Sequence, residues 1–585
     1  MTYILPYTYP AMSQSKTISF EIKKVPKHQD VLGQTSKVLF ENYAARSMLK
    51  ATVLSSQDLK NIQVGIGTMW FEGNPCNMHH MLLANEVSKS LNVSNLLPRR
   101  FNTIGVSDGI AMGTSGMSYS LPSREIIADS IETHVRGLLY DMLITIPSCD
   151  KNIPGAIMAM LRLNLPGAIV YGGSIKPGCH QGKDIDIVTS FEAYGKMKAG
   201  IITDEEAEQI VYNACPGAGS CGGMYTANTM AVMCEAMGLT LPQSSSDPAI
   251  SRQKIKECNI MGVTMKRLFN MNLKPREIVT KEAIRNAIVV GMAMGGSTNM
   301  VLHIIAIANE IGYHLTLQDI QEIANNTPLL ANMKPSGDYL MHDVFKNGGI
   351  APIMRYLLDE GLLDGNCITV SGKTLKQNLE LYNAFKPDNK LLFSVKNPIK
   401  NTSHIQTLFG NIAPEGSVAK ITGKEGENFT GSALVFDTEK AMIESLDEIK
   451  SRVDNGEMLV IVLRYQGPTI GMPEMLKPTS TLAGAGILDK VALITDGRFS
   501  GGSRGFIVGH ICPEAYKGGP IANIRNSDII TIDAKNNSIN CDFNVINTTN
   551  KTIISKSNTT GYLYKYGKLV SSASTGCVTN YMPAI

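Results

Sequence analysis

Three short segments carry cysteine among turn-forming residues: Asn74-Pro75-Cys76-Asn77, Pro147-Ser148-Cys149-Asp150-Lys151 and Pro216-Gly217-Ala218-Gly219-Ser220-Cys221-Gly222-Gly223. Glycine, proline and short polar side chains bend the chain sharply, so each segment reads as a loop presenting one thiolate, which is how sulfur is offered to a soft metal. Three such ligands leave one place open. An iron centre with an open place takes a substrate oxygen as a Lewis acid, whereas a fully ligated one only passes electrons. An enzyme is the expectation.

Harder ligands lie beside the sulfur. Asp150 and Lys151 follow Cys149 directly, and Asp108 stands in the glycine turn Gly105-Val106-Ser107-Asp108-Gly109. Carboxylate oxygens suit magnesium or manganese. Taken singly, the first reads equally as two solvated loop charges and the second as an Asx turn or helix cap. The glycine-rich run around Cys221 has neither the Lys-Ser/Thr of a Walker loop nor the spacing of a dinucleotide fingerprint, which disfavours nucleotide binding. Cys215, six residues upstream, is a rival to Cys221 that spacing does not separate. Further on, Gly471-Met472-Pro473-Glu474-Met475 and Thr495-Asp496-Gly497-Arg498-Phe499-Ser500-Gly501-Gly502-Ser503 are polar turns soon after apolar strands. Ser500 is by itself a turn residue, but a nearby metal could make it a base. Asp496 and Arg498 are read as a structural pair or as orienting this turn. His79, His80, His303 and His510 lack a paired zinc spacing, so core or surface roles are expected for them.

The elements that must position these groups follow from the pattern of the chain. Its 585 residues exceed what one core supports, so two domains are expected. A hydrophobic fraction of 43%, a charged fraction of 18% and a net charge of +3 give no argument for nucleic-acid or membrane partners and point to a small ligand. Eleven cysteines, an odd number spread thinly, fit reduced thiols in a cytoplasmic compartment. Pro6 and Pro10 interrupt any targeting helix, so residues 1–35 read as an N-terminal extension. From 36 to 386 amphipathic helices, such as one over 126–139, alternate with short apolar strands such as 168–171. This predicts an α/β domain with a parallel sheet and its cysteines at strand ends. Residues 387–402 read as a linker. The runs 417–421, 433–436, 459–463, 492–494 and 529–532 then predict a largely β domain over 403–585, possessing few helices and built as a barrel.

Taken together, Gly73 to His79, Ile104 to Gly116 with Tyr119-Ser120-Leu121 and Ser123-Arg124-Glu125, Ser148 to Asn152, Cys215 to Met230, Gly295 to Asn299 and Thr495 to Ser503 resemble the dihydroxy-acid and phosphogluconate dehydratase family, in particular its branched-chain amino-acid branch. The resemblance implies a hydro-lyase with an N-terminal α/β domain, a C-terminal β-barrel domain and a homodimer. It implies that Cys76, Cys149 and Cys221 hold an iron-sulfur cluster, [2Fe-2S] or in some relatives [4Fe-4S]. It implies that Asp108, Asp150, Lys151 as its carbamate, and Glu474 bind Mg2+, and that Ser500 accepts the C2 proton. The implied substrates are 2,3-dihydroxy-3-methylbutanoate and 2,3-dihydroxy-3-methylpentanoate, whose alkyl ends need an apolar wall; a sugar-acid dehydratase of the same family needs a polar one. A non-enzymatic redox sensor would need the thiols but has no use for Asp108, Lys151, Glu474 and Ser500. The implied compartment is the cytoplasm or an organelle matrix. Two departures fall near the expected site: Arg464-Tyr465-Gln466-Gly467-Pro468-Thr469-Ile470-Gly471-Met472 is shorter than the family pattern and has glutamine for glutamate, and Arg504 stands where histidine is common. The expectation is intact ligands with an altered substrate entrance.

Overall fold

The computed structural model describes residues 38, 39, 41–198, 200–543 and 560–580. The expected extension over 1–35 lies outside the described residues. Two compact units divide between Lys60 and Asn61. The first contains the helix Tyr43–Ala51, whose end is capped by Asn42 Oδ1 accepting from the backbone of Ala45 at 3.1 Å. Everything below concerns the second unit.

Four parallel strands open it: β1 Gln63–Thr68, β2 Leu97–Asn102, β3 Met142–Ile146 and β4 Gly167–Ile169, in spatial order β2-β1-β3-β4. The crossovers are α1 His80–Val93, α2 Ser120–Gly137 and α3 Asn152–Leu163. β1 and β3 are buried on both faces and so read as near-continuous apolar text. The helix expected over 126–139 starts six residues earlier, at Ser120. Pro122 sits in its first turn, where no intrahelical N–H is needed, and so does not break it. α3 crosses α2 closely at Gly155, where a Cβ would meet Arg124 O at 2.8 Å. Three further helices bear on the site: α4 Ile187–Lys198, α5 Thr226–Ala236 and α6 Asn299–Glu310. The stretch 387–402 is irregular but held down: Leu391 and Leu392 are buried, and Leu329 pairs with Lys400.

The second half contains β5 Ile405–Leu408, β6 Gly416–Lys420, β7 Asn428–Phe436, β8 Leu459–Leu463, the short β9 Glu474–Met475, the helix α7 Lys477–Gly484, β10 Val491–Thr495, the short β11 Arg498–Phe499, β12 Phe506–Cys512, β13 Ile529–Asp533 and β14 Ser538–Asp542. Eight of these strands form one mixed sheet in the order β14-β13-β7-β8-β10-β12-β6-β5. Beyond β5, Phe409 bridges Ser538 in β14, which curls the sheet into the expected barrel. Alternation along β8 explains its unbroken apolar run. Val460 and Val462 join one core with Ile494 and Val508, while Leu459, Ile461 and Leu463 pack outward on helices, including Met442 and Ile449. Those outer helices were not expected from the sequence: 439–444, 446–454 and α7 cover a face that reads only as loop.

The chain's last described segment returns to the α/β half. Arg124 Nη2 in α2 donates to the carbonyls of Gly576 and Cys577, both at 2.8 Å, and Glu125 Oε2 accepts from Thr579 Oγ1 at 3.2 Å.

Candidate active site

The loops after β1, β2 and β3 all leave the carboxyl edge of the parallel sheet, the edge at which open α/β sheets hold ligands. The β1 loop carries Cys76, the β2 loop Asp108, and the β3 loop Cys149, Asp150 and Lys151. Facing them, β9 and β11 pair in parallel with Glu474 opposite Arg498, and Ser500 follows β11. A cavity of about 170 Å³ lies between the two sets; Cys76, Cys149, Cys221, Asp108, Glu474 and Ser500 all line it.

The thiols form one wall. Cys149 and Cys221 sit beside Cys76 and, with burial, push its thiol well above the ordinary range; the contact from Cys76 draws Cys149 down. The three loops are knitted together. Gly219 N donates to Pro75 O at 2.9 Å, and Ser220 Oγ donates to Ser148 O at 2.7 Å. His80 Nε2 lies 2.6 Å from Ser148 Oγ, while Asn77 Nδ2 donates to Asn152 Oδ1 at 2.9 Å. Asn228 Nδ2 donates to the carbonyls of Cys221 and Gly223, both at 2.7 Å, and accepts on Oδ1 from the Tyr171 hydroxyl at 2.9 Å. Cys215 lines the same cavity, with its thiol pushed up to about 12 by burial, Cys221 and Asp186. His79 and His80 thus brace loops, as core histidines were expected to do.

The carboxylates form the opposite corner. Oxygens of Asp108, Asp150 and Glu474 lie within 4.8 Å of one another, all three residues being buried. The ammonium of Lys151 stands among them, 2.5 Å from Asp108 Oδ2, 3.3 Å from Glu474 Oε2 and 3.7 Å from Asp150 Oδ2. Burial opposes the Lys151 charge, but Asp108 and Glu474 outweigh it and hold the amine above its usual range. Burial likewise opposes ionisation of Asp108, yet Lys151 and Arg498 draw it below the carboxylate range. Asp150 is pushed well up by burial, an effect Lys151 offsets only in part. A buried triad of acidic side chains with a cation at its centre is the donor set a hard divalent ion takes, and the ammonium marks the place of positive charge. Three clustered thiols at the same cavity likewise fit a soft iron centre.

Two side chains hold Glu474: Arg498, read from the sequence only as a structural or turn-orienting residue, and Asn299, to which the sequence reading assigns no role. Arg498 Nη1 donates to Glu474 Oε2 at 2.8 Å and to Asn299 Oδ1 at 2.9 Å, and Asn299 Nδ2 donates to the same Glu474 oxygen at 3.1 Å. Of the two roles read for Asp496 and Arg498, a structural pair or residues orienting the turn, no ion pair joins the two among the described residues. Asp496 instead accepts from the backbone N–H groups of Gln466 and Ala515, both at 2.8 Å. Asn299 had one readable signal, the polar run Gly295 to Asn299 directly before an apolar helix. Ser120, which donates to Asp108 Oδ1 at 2.7 Å, is marked only as part of the resembling segment Tyr119-Ser120-Leu121, with no role attached.

Ser500 is half-buried at the cavity, its hydroxyl accepting from Gly502 N at 3.2 Å; no histidine or carboxylate side chain hydrogen-bonds to it among the described residues. Gly501 lies so close to the start of α5 that a Cβ would approach Thr226 N and Tyr225 Cα to 3.0 Å, so glycine is what lets this turn meet the α/β half. The shortened loop is tied locally. Thr469 N and Oγ1 donate to Glu514 Oε1, at 3.1 and 2.7 Å, and Gln466 Nε2 donates to Asp437 O at 2.9 Å. Arg504 pairs with Glu192 of α4.

A family model described as "Dihydroxy-acid/6-phosphogluconate dehydratase N-terminal" matches residues 61–378, and its C-terminal counterpart matches 390–577. Dihydroxy-acid dehydratase of Francisella tularensis subsp. novicida (strain U112) is 54% identical over 559 residues, covering 94% of this chain and 99% of that protein. The chloroplastic dihydroxy-acid dehydratase of Arabidopsis thaliana is 51% identical over 542 residues, 92% of this chain and 89% of its own. The mitochondrial one of Schizosaccharomyces pombe (strain 972) is 48% identical over 577 residues, 97% and 95%. Fold, cavity and relatives define an enzyme, a hydro-lyase. The chain belongs to the dihydroxy-acid/6-phosphogluconate dehydratase family.

Proposed function

We propose that this enzyme dehydrates 2,3-dihydroxy-3-methylbutanoate and 2,3-dihydroxy-3-methylpentanoate to the corresponding 2-keto acids, in the synthesis of valine, isoleucine and leucine. The observation carrying this reading is the character of the cavity wall beside the carboxylate corner: Ile187, Val188 and Phe191 of α4 with Ile110, Met112 and Leu476. Such a wall suits an alkyl end and leaves the hydroxyls of a sugar acid without partners, a costly mismatch in a buried site.

In this reading Cys76, Cys149 and Cys221 hold a [2Fe-2S] cluster, and Asp108, Asp150, Glu474 and the carbamate of Lys151 hold Mg2+. The carbamate resolves the repulsion an ammonium would meet there, by turning the amine into an anionic oxygen ligand. When bound, the two groups supply Lewis acidity to the substrate, magnesium at the carboxylate and 2-hydroxyl and the cluster at the 3-hydroxyl. Arg498 and Asn299 fix Glu474, and Ser120 fixes Asp108, so the hard ligands are oriented by side chains that do not themselves bind. Ser500, as its alkoxide, takes the C2 proton on its Oγ; the C3–O bond breaks and the departing hydroxide takes up that proton to leave as water, restoring the alkoxide, and the remaining enol tautomerises to the keto acid with no net redox change. The apolar wall excludes bulk water from the developing charge. The functional division we adopt is 36–386 and 403–585 joined by 387–402, the second part delivering Glu474 and Ser500. Family likeness supports a homodimer in a cytoplasmic or organelle-matrix compartment, and no described helix is long and apolar enough to cross a membrane.

Turnover of reconstituted enzyme tests the reading. Expected is a kcat/KM for 2,3-dihydroxy-3-methylbutanoate at least about a hundredfold above that for gluconate. Preference for gluconate would instead establish the sugar-acid alternative.

A further inference from the structure

The turn that carries Ser500 is gripped from behind by a buried lysine. Lys420 ends β6, pairs in register with Ile507 of β12, and is only 2% exposed. Its Nζ donates to Ser503 O at 3.0 Å and to Gly501 O at 3.5 Å. No carboxylate forms an ion pair with it among the described residues. Glu425, the acid whose field reaches it, accepts instead from Thr422 N and Oγ1. Burial accordingly lowers the Lys420 ammonium to about 8. A cation buried without a counter-ion is costly, so its partners matter, and here they are the carbonyls of one four-residue turn.

That turn is closed by Ser503 N donating to Ser500 O at 2.9 Å. The peptide between Gly501 and Gly502 connects the lysine to the serine. Lys420 engages its carbonyl, and its N–H, that of Gly502, donates to Ser500 Oγ at 3.2 Å. Hydrogen bonds in series polarise one another, so a cation on the carbonyl strengthens the N–H as a donor to an oxygen that gains negative charge. We propose that Lys420 is a positioning residue for Ser500, holding its turn and polarising the Gly501–Gly502 peptide toward the serine oxygen. The proposal rests on Ser500 as the proton acceptor.

A double-mutant cycle on the holoenzyme tests it. Lys420→Met should lower kcat by about 10–100-fold with KM within about twofold and with unchanged iron content and cluster absorption. In the Ser500→Ala background the same change should cost less than about threefold, because a residue acting through Ser500 has nothing left to act on. An equal loss in both backgrounds, or a kcat for Lys420→Met within threefold of wild type, overturns the proposal and leaves the Ser500 reading standing. Full activity of Ser500→Ala alone overturns the Ser500 reading, and this one with it. Should Lys420→Met not accumulate as folded protein, Lys420→Gln enters the same cycle under the same criteria.

Discussion

On one side of the cavity three cysteine loops, all from the α/β half, are tied to one another by hydrogen bonds between neutral groups: Gly219 to Pro75, Ser220 to Ser148, Asn77 to Asn152. On the other side acids from both halves, Asp108 and Asp150 from one and Glu474 from the other, are held by the charges of Lys151 and Arg498. The difference is one of cost and of dependence. A wall whose loops are tied by neutral groups folds with its own domain and needs no balance of charge between those ties. A corner of buried charge is stable only while each charge is balanced, and it exists only where two halves meet. The thiols are thus brought together locally, and the cluster of acids depends on both halves.

The largest effect should come from unbalancing the corner. Lys151→Met leaves three buried acids with one fewer cation, and the metal-free protein should lose about 3–5 kcal/mol of stability, read as a lower urea midpoint in the presence of chelator. An unchanged midpoint would break the contrast. Arg498→Gln should come next. It loosens Glu474 together with Asn299 and the Met472 carbonyl, all on the acidic side, so magnesium affinity should fall about 10–100-fold while cluster absorption stays as in wild type. If iron binding fell in parallel, the two sides would not be separately built.

The third test uses pH. Burial chiefly, with Asp496 adding and the Thr469 hydrogen bonds opposing, pushes Glu514 from the ordinary 4.5 up to about 7. The unfolded chain releases this proton first, so between these values the native state holds more protons and stability falls as pH rises, the penalty being complete above about 7. Glu514→Gln removes the penalty from the loop leading to Glu474. Its melting temperature should therefore gain on wild type between pH 5 and pH 8, by the equivalent of about 1–2 kcal/mol, and an unchanging gap would contradict this. The smallest effect belongs to the neutral side. Ser220→Ala removes one donor to Ser148 O and should cost about 1 kcal/mol, seen as faster iron loss with the magnesium requirement unaltered.

Sequence and site agree unevenly, for a physical reason. Cys76, Asp108, Cys149, Asp150, Lys151, Glu474 and Ser500 sit in loops whose glycine, proline and short polar residues mark them off from neighbouring helices and strands, and one cavity brings them together. Their supporting residues are marked less plainly, Asn299 only by the glycine and polar run before it. Asn299 opens a buried apolar helix, Ser120 is the first residue of a helix that reads as starting later, and Lys420 lies within the run 417–421, read only as a strand. Each acts through a partner distant in sequence, and local pattern holds no information about such partners. The same limit explains the barrel. β8 and β10 are legible as apolar runs, but β5 and β14, short and partly polar, are strands through their antiparallel ladders with β6 and β13, pairings that local pattern does not show.

Arg124 reaches the carbonyl of Gly576 across 452 positions of sequence, on the same helix whose first residue steadies Asp108. Synthesis runs from the cysteine loops through Glu474 to this clasp. A growing chain therefore gathers its three thiols before it holds all three acids of the opposite corner, and the helix that steadies Asp108 is clasped later still. Order of synthesis thus separates the two sides of the cavity in time.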